Sequence, residues 1–224
     1  MTLTEQEIVR YSRHIILPEV GGRGQQRIKA ASVLVAGLGA AGSAAALYLA
    51  AAGVGRLTLW DPAPLTEADL SRAIAHDRAH LGVTRADSAR DKLSAINPDA
   101  VVHAAGDQDA LSGLVDGHQV VVATAGDWEA VQAAALRAGA AVVFAGAHGA
   151  GGAVFAFRPG EPCLGCIPPE ERDAAGLRPE GGEGCAVAAA ADPRPPGGPA
   201  AASTAPAAAR PARAAAPPAR GAGR

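Results

Sequence analysis

The sequence predicts an α/β fold in which a doubly wound, mainly parallel sheet carries helices on both faces. Short apolar runs of strand character alternate along the chain with Ala- and Leu-rich runs of helical character. This alternation requires crossover connections between parallel strands. The glycine-rich segment Gly37-Leu38-Gly39-Ala40-Ala41-Gly42 joins the first such strand to the first such helix. Together these observations predict a Rossmann-like domain.

Each element of the alternation follows from its own stretch of sequence. The predicted strands are Ser32–Ala36, Arg56–Trp60, Ala100–Ala105, Gln119–Thr124 and Ala141–Ala147. The predicted helices are Ala40–Ala52, Arg85–Ile96, Asp109–Val115 and Trp128–Ala138. A further strand, Gly152–Phe157, is expected to turn back in a hairpin against the fifth strand.

The two ends of the chain differ from this pattern. Thr2–Arg13 predicts an N-terminal amphipathic helix capped by Thr4, and the glycines and proline of His14–Gly24 indicate a linker. After Cys185 nearly every residue is Ala, Pro, Gly or Arg, which predicts a disordered Ala/Pro-rich tail. A GC-rich gene read out of frame would encode the same composition, so a frameshifted or truncated C-terminus is an open alternative.

Four regions are therefore expected along the chain. They are an N-terminal helix and linker at 1–30, a nucleotide-binding domain at 31–160, a cysteine-containing loop at 161–185 and the tail at 186–224.

Composition argues against several functional classes. The net charge is −2, which provides no basic surface for nucleic acid or a membrane. No uninterrupted apolar run reaches transmembrane length, and the N-terminus carries no apolar signal core. Three cysteines do not make a disulfide framework in 224 residues. We therefore expect a cytoplasmic protein.

The glycine-rich segment predicts a bound nucleotide. Gly37 allows a tight turn after the strand, Gly39 lets backbone N–H groups approach a phosphate, and Gly42 lets the helix pack closely. The helix N-terminus favours an anion, and Asp61 at the end of the second strand can accept hydrogen bonds from ribose hydroxyls. From these residues alone, an NAD(P)-dependent oxidoreductase and a purely structural glycine turn remain alternatives.

Further motifs occur in a fixed order around this segment. Arg10-Tyr11-Ser12-Arg13-His14-Ile15 precedes it, Asp69-Leu70-Ser71-Arg72 follows Asp61, and Glu161-Pro162-Cys163-Leu164-Gly165-Cys166 follows the last strand. In this order and spacing the residues resemble the ThiF/MoeB/HesA family of adenylyltransferases, bacterial relatives of the ubiquitin-activating enzymes. The resemblance covers the chain from about Glu5 to Cys166.

The resemblance implies an ATP-dependent reaction that uses Mg²⁺. A homodimer would adenylylate the C-terminal Gly-Gly carboxylate of a ubiquitin-like sulfur-carrier protein, or of a related peptide, and release pyrophosphate. Positioning and charge neutralisation on the triphosphate would supply most of the acceleration. A non-catalytic nucleotide-binding or scaffold protein of the same fold is the alternative from another class.

The resemblance also implies roles for individual residues. The residues assigned to the nucleotide are Gly37, Gly39, Ala40, Gly42, Asp61, Asp69, Arg72 and Arg85. The residues assigned to catalysis are Arg13, Arg72, Arg85 and Asp127. Arg13 would reach the nucleotide of the partner subunit, and Ala40 stands where the family usually has glycine.

Several positions depart from the family pattern near the phosphates. The family's second acid, its asparagine and its catalytic lysine are replaced here by Ala63, Asp69 and Arg85. Gly126 stands where a magnesium-binding aspartate is usual, and Asp127 follows one residue later as its candidate replacement. These departures predict that turnover is impaired and that nucleotide binding is better preserved.

The cysteines predict an incomplete zinc site. Cys163 and Cys166 have the spacing of half a tetrahedral Zn²⁺ site, which the family completes with a second Cys-x-x-Cys downstream. This chain carries only Cys185 in that region. Partial or intermolecular zinc binding, redox chemistry and a remnant that binds nothing remain open. The six histidines do not cluster at metal-ligand spacing and are expected in surface or loop roles.

Overall fold

A six-stranded sheet forms the centre of the molecule, seen in a computed structural model that describes residues 2–105, 111–148 and 151–174. Its strands are β1 Ser32–Ala36, β2 Arg56–Trp60, β3 Val101–Ala105, β4 Val120–Ala123, β5 Ala141–His148 and β6 Gly151–Phe157. The spatial order is β3-β2-β1-β4-β5-β6; the first five strands are parallel, and β6 runs antiparallel to β5. The predicted fold class and the predicted terminal hairpin are confirmed.

The helices follow the predicted alternation from β1 onwards. They are α1 Glu5–Arg10, α2 Ser12–Ile15, α3 Gly21–Ala30, α4 Ala40–Ala52, α5 Arg85–Ile96, α6 Leu111–Leu114, α7 Trp128–Ala138 and α8 Pro169–Ala174. The strand order reverses between β1 and β4, so the connections after these two strands diverge. In open α/β sheets this reversal creates a crevice at the carboxyl ends of the strands, where ligands bind.

The core lies on both faces of the sheet, as the strand β1 shows directly. All five of its residues are buried. Leu34 and Ala36 pack with residues of α7, β5 and β6, whereas Val33 and Val35 pack with residues of α4, α5 and β2. Because successive side chains of a strand point to opposite faces, one short apolar strand serves two helical layers.

The N-terminal segment departs from its prediction. The capping prediction is confirmed, because Thr4 Oγ1 accepts a hydrogen bond from the Glu7 N–H while Glu7 Oε2 accepts one from the Thr4 N–H. The expected single helix over Thr2–Arg13 is instead two helices, α1 and α2. Tyr11 ends the first and precedes the second, and its side chain is buried.

The linker predicted over His14–Gly24 is shorter in the structure, where only residues 16–20 form turns and bends between two helices. α2 extends to Ile15, and α3 begins at Gly21, inside the predicted linker. The buried Gln25 on α3 donates a hydrogen bond to the Ala52 carbonyl and pairs with His14 Nδ1. By propensity alone, this glycine-rich stretch would form a helix of marginal stability. The contacts of Gln25 stabilise the helix.

Several predictions fall on residues that the structure does not describe. They concern the start of the helix predicted at 109–115, Cys185 and the tail at 186–224. Among the described helices, none has both the length and the apolar character needed to cross a bilayer.

Candidate nucleotide site

The glycine-rich loop joins β1 to α4 by a turn that only glycine accommodates easily. Gly37 has φ of +90°, and a β-carbon there would lie 2.5 Å from Thr124 Oγ1. Gly39 is the N-cap of α4, with φ of −71°. At Gly42 a β-carbon would overlap the carbonyl oxygen of Gly37. The loop is therefore packed against itself at the N-terminus of a 13-residue helix, which favours an anion.

Asp61 connects the end of β2 to this loop. Its side chain is buried, Oδ2 accepts the Leu38 N–H at 2.8 Å, and Oδ1 accepts the Ala63 N–H at 3.2 Å. An ionised carboxylate has about four acceptor positions. Asp61 therefore fixes the loop through Oδ2 and keeps acceptor capacity on Oδ1 for a ligand hydroxyl.

A second buried carboxylate, Asp69, lies on the 3₁₀ helix Glu67–Ser71 that follows β2. Its Oδ2 accepts hydrogen bonds from both the N–H and the hydroxyl of Thr66, at 3.0 and 2.7 Å. Arg72 Nη2 and Arg85 Nη2 each lie 3.0 Å from Oδ1. Burial opposes ionisation, but these hydrogen bonds outweigh it and hold the pKa of Asp69 far below its usual range.

Arg85 joins the two carboxylates. It is the first residue of α5, and its Nε and Nη2 atoms both contact Asp69 Oδ2, at 3.3 and 3.0 Å. Its Nη1 atom lies 3.5 Å from Asp61 Oδ2. We call Asp61, Asp69, Arg72 and Arg85 the carboxylate–arginine network. Its two acids and two bases sum to a formal charge of zero.

Asp61 accepts the N–H of the loop residue Leu38, and His76 contacts the carbonyl oxygen of the same residue. Its Nε2 atom lies 2.9 Å from the Leu38 carbonyl oxygen, and its Nδ1 atom lies 3.0 Å from Ser88 Oγ. Since a carbonyl only accepts, Nε2 carries the proton and Nδ1 accepts from the Ser88 hydroxyl. Burial lowers the pKa of His76 and favours this neutral form. Sequence analysis missed this residue, because no motif marks an isolated histidine in a loop as buried.

Gly126 and Asp127 lie at the end of β4, and the network does not include them. Gly126 has φ of +88°, and a β-carbon there would lie 2.8 Å from Leu111 Cδ2 and 3.4 Å from the Trp60 ring. An aspartate at this position would therefore be strained and crowded. Asp127 is the N-cap of α7, where its Oδ1 atom accepts the Ala130 N–H at 2.9 Å.

The donor set does not fit a resident magnesium ion. Within the described ranges, no three His, Cys, Asp or Glu side chains are grouped so that they could hold a metal ion. Asp61 and Asp69 accept from N–H groups and arginines, and Asp127 caps a helix. Mg²⁺ is commonly held by nucleotide phosphates together with one or two carboxylates, and these side chains do not form a resident site for it by themselves.

The cysteine pair fits one half of a zinc site. Cys163 precedes the 3₁₀ turn Leu164–Cys166, and Cys166 is the last residue of that turn. The two Sγ atoms are 3.8 Å apart. Two thiolates on one tetrahedral Zn²⁺ would be separated by about 3.8 Å, given Zn–S bonds of about 2.3 Å. No further ligands join the pair in the part of the chain that is described.

The structure brings together some predicted residues and leaves others apart. Asp61, Asp69, Arg72 and Arg85 form one network beside the loop, which includes Ala40 as the first residue of α4. Arg13 is exposed on α2. Its guanidinium makes no ion pair with any described residue.

Sequence comparisons relate the chain to a family of known proteins. Residues 11–205 match the model of the ThiF family. The chain is 39% identical to a molybdopterin-synthase adenylyltransferase of Salmonella typhimurium over 74% of this chain and 70% of the relative. It is also 39% identical to the vegetative HesA protein of Trichormus variabilis over 76% of this chain and 67% of the relative.

Solved structures share the fold. A crystal structure of Escherichia coli MccB superposes with a TM-score of 0.60 at 20% identity, covering 68% of this chain and 49% of MccB. The chain thus spans about half the length of that structure. The family match covers most of the sequence, and the fold and glycine loop are those that the motifs predict. The chain belongs to the ThiF family.

Proposed function

We propose that this protein binds MgATP at the glycine loop and adenylylates the C-terminal carboxylate of a ubiquitin-like sulfur-carrier protein or a related peptide. The observation that carries the proposal is the contact between the loop and the carboxylate–arginine network, made by the Leu38 N–H and Asp61. The Salmonella relative, a molybdopterin-synthase adenylyltransferase, supports the reaction class.

Each part of the nucleotide has a chemically suitable neighbour. The N-terminus of α4 and its preceding loop suit the phosphates, because helix N–H groups there lack intrahelical partners. Asp61 can accept from a ribose hydroxyl through Oδ1. Arg72 presents a planar guanidinium that matches phosphate oxygens, and only its Nη2 atom contacts Asp69.

The proposed reaction transfers the adenylyl group of ATP to the carboxylate of the carrier. A carboxylate oxygen of the carrier attacks the α-phosphorus, the bond from that phosphorus to the bridging oxygen of the β-phosphate breaks, and its electron pair leaves with pyrophosphate. Arg72, and Arg85 once released from Asp69, would neutralise the charge that develops on the phosphates. The fixed loop would align the phosphates for this attack.

We also propose a cytoplasmic homodimer in which Arg13 of one protomer reaches the nucleotide of its partner. The support is the position of Arg13, exposed on α2 and unpaired within the described ranges. In a dimer such a guanidinium could add positive charge that the neutral network lacks. Cysteine scarcity supports the reducing compartment.

An exchange experiment tests the proposal. ATP binding is measured by calorimetry, and adenylylation by exchange of labelled pyrophosphate into ATP in the presence of a carrier protein that ends in Gly-Gly. We expect both signals in the unchanged protein and loss of both in Arg72→Ala. Arg78→Ala is the matched control, because Arg78 is exposed and pairs only with the exposed Glu67. Failure of the unchanged protein to bind ATP would refute the proposal.

A second candidate function is nucleotide binding without catalysis, in a scaffold role. The geometry of Gly126 and Asp127 favours it, because the aspartate position is a crowded glycine and its neighbour caps a helix. ATP binding with no pyrophosphate exchange would support this alternative. Impaired but measurable exchange would support the enzyme.

A further inference from the structure

We propose that the carboxylate of Asp69 competes with the nucleotide phosphates for the guanidinium groups of Arg72 and Arg85, and thereby weakens ATP binding. The inference rests on the proposed function, since it concerns the same site. In this proposal Asp69 is a residue that lowers the affinity of the site for ATP.

The first support is the edge of Arg85 that Asp69 occupies. Nε and Nη2 of Arg85 both point to Asp69, at 3.3 and 3.0 Å from Oδ2 and, for Nη2, 3.0 Å from Oδ1. This two-nitrogen edge is the one that arginine uses to bind carboxylates and phosphates in bidentate fashion. A phosphate can take the same edge only if Arg85 leaves Asp69.

The second support is the charge of the site. Two arginines alone would present two positive charges to a triphosphate, but Asp61 and Asp69 cancel both. The side chain of Asp69 is 1% exposed and those of the arginines 20%, so solvent screens their interaction only in part. His76 adds no charge, because burial favours its neutral form. Asp69 itself remains ionised at every pH at which the protein would work.

The third support is that Asp69 is fixed in place. Its Oδ2 atom accepts two hydrogen bonds from Thr66, which belong to the cap of its own 3₁₀ helix. The arginines must therefore move away from Asp69, because the carboxylate cannot follow them to the ligand. The Thr66 contacts also make Asp69→Asn a conservative change, since an amide oxygen can accept the same two hydrogen bonds.

The test compares binding of ATP and adenosine to the full chain at low salt. In Asp69→Asn we expect the Kd for ATP to fall about fivefold to tenfold, as two charge-assisted contacts that hold the arginines are lost. The Kd for adenosine, which has no phosphates, should stay the same. Glu67→Gln removes one charge from the same 3₁₀ helix at an exposed position and should leave both values unchanged.

Two results would overturn the inference while leaving the proposed function intact. They are an unchanged Kd for ATP in Asp69→Asn and a raised one, since the latter would mean that Asp69 organises the arginines for binding. Absence of ATP binding by both the unchanged protein and the variant would overturn the proposed function and the inference together.

A paired variant covers the case in which Asp69→Asn does not fold. Asp69→Asn with Arg85→Gln keeps the network at zero net charge and releases Arg72 from its carboxylate partner. Competition by Asp69 predicts that this paired variant binds ATP more tightly than Arg85→Gln alone, in which Asp69 still holds Arg72. Binding no tighter than that of Arg85→Gln would contradict the inference.

Discussion

Different interactions stabilise the two sides of the candidate site. On the loop side, Gly37–Gly42 and Asp61 form a structure of backbone turns and one carboxylate that receives neutral N–H groups. On the phosphate side, Asp69, Arg72 and Arg85 are charged side chains that satisfy one another. The loop side leaves the phosphate region open to an anion. The phosphate side presents that anion with charges that are already neutralised.

This difference is the physical basis of our prediction that nucleotide binding is better preserved than turnover. Backbone geometry depends on a few small residues, and their replacement would disrupt the fold itself. Charge balance depends instead on side chains that pair with one another, as Asp69 and Arg85 do. Binding and turnover can therefore be affected separately.

The largest expected effect tests the loop side. Gly42→Ala places a β-carbon on the carbonyl oxygen of Gly37, so the turn or the helix must shift. We expect a loss of about 3 kcal/mol in the free energy of unfolding, with loss of ATP binding. Denaturant unfolding and calorimetry measure the two effects.

Gly22→Ala is the matched control for this change. Gly22 lies in α3, and a β-carbon there would meet nothing within 4 Å. Because alanine favours helices, the control should be neutral or stabilising by up to about 1 kcal/mol. Equal stability of the two variants would show that the loop is not close-packed at Gly42.

The next effect tests the phosphate side through acid stability. The folded pKa of Asp69 is lowered, so its contribution to stability is present above its ordinary pKa and is lost as the pH falls through the folded value. Between about pH 5 and pH 2 the unchanged protein should lose about 2 kcal/mol more of its unfolding free energy than Asp69→Asn. Parallel curves of stability against pH would mean that the hydrogen bonds from Thr66 and the two arginines do not hold Asp69 in its charged form.

A smaller effect concerns His76, which contacts the loop from the opposite direction. Burial lowers its folded pKa, so its contribution is present above the ordinary value of about 6.5 and is lost as the pH falls below it. Between about pH 7.5 and pH 5.5, His76→Gln should lose about 1 kcal/mol less of its unfolding free energy than the unchanged protein loses. His80→Gln is the control, because the Asp77 carboxylate raises the pKa of that partly exposed histidine. A His76→Gln curve as steep as that of the unchanged protein would contradict this assignment.

The sequence was sufficient for those parts of the molecule that depend on local pattern. The five parallel strands, the hairpin and the glycine loop follow from periodicity and turn residues, and the Thr4 cap from its side-chain chemistry. The helix α3 could not be predicted in this way, because Gln25 stabilises it through contacts with residues distant in sequence, Ala52 among them. His76 and the pairing of Asp69 with both arginines are likewise set by tertiary contacts, which no local pattern encodes.

The smallest expected effect separates the two roles open to Asp127. Its Oδ1 atom caps α7, and an asparagine can accept the same N–H bond, whereas alanine cannot. If capping is its only role, Asp127→Asn keeps the stability and any pyrophosphate exchange of the unchanged protein, and Asp127→Ala loses about 0.5–1 kcal/mol. If Asp127 instead binds the magnesium of MgATP, Asp127→Asn should abolish exchange without loss of stability, because an amide carries no charge. The geometry favours the first outcome, since the carboxylate is committed to the helix through Oδ1 and stands outside the carboxylate–arginine network. Exchange by Asp127→Asn measured across a magnesium titration therefore tells whether Asp127 binds the magnesium of MgATP or only caps α7.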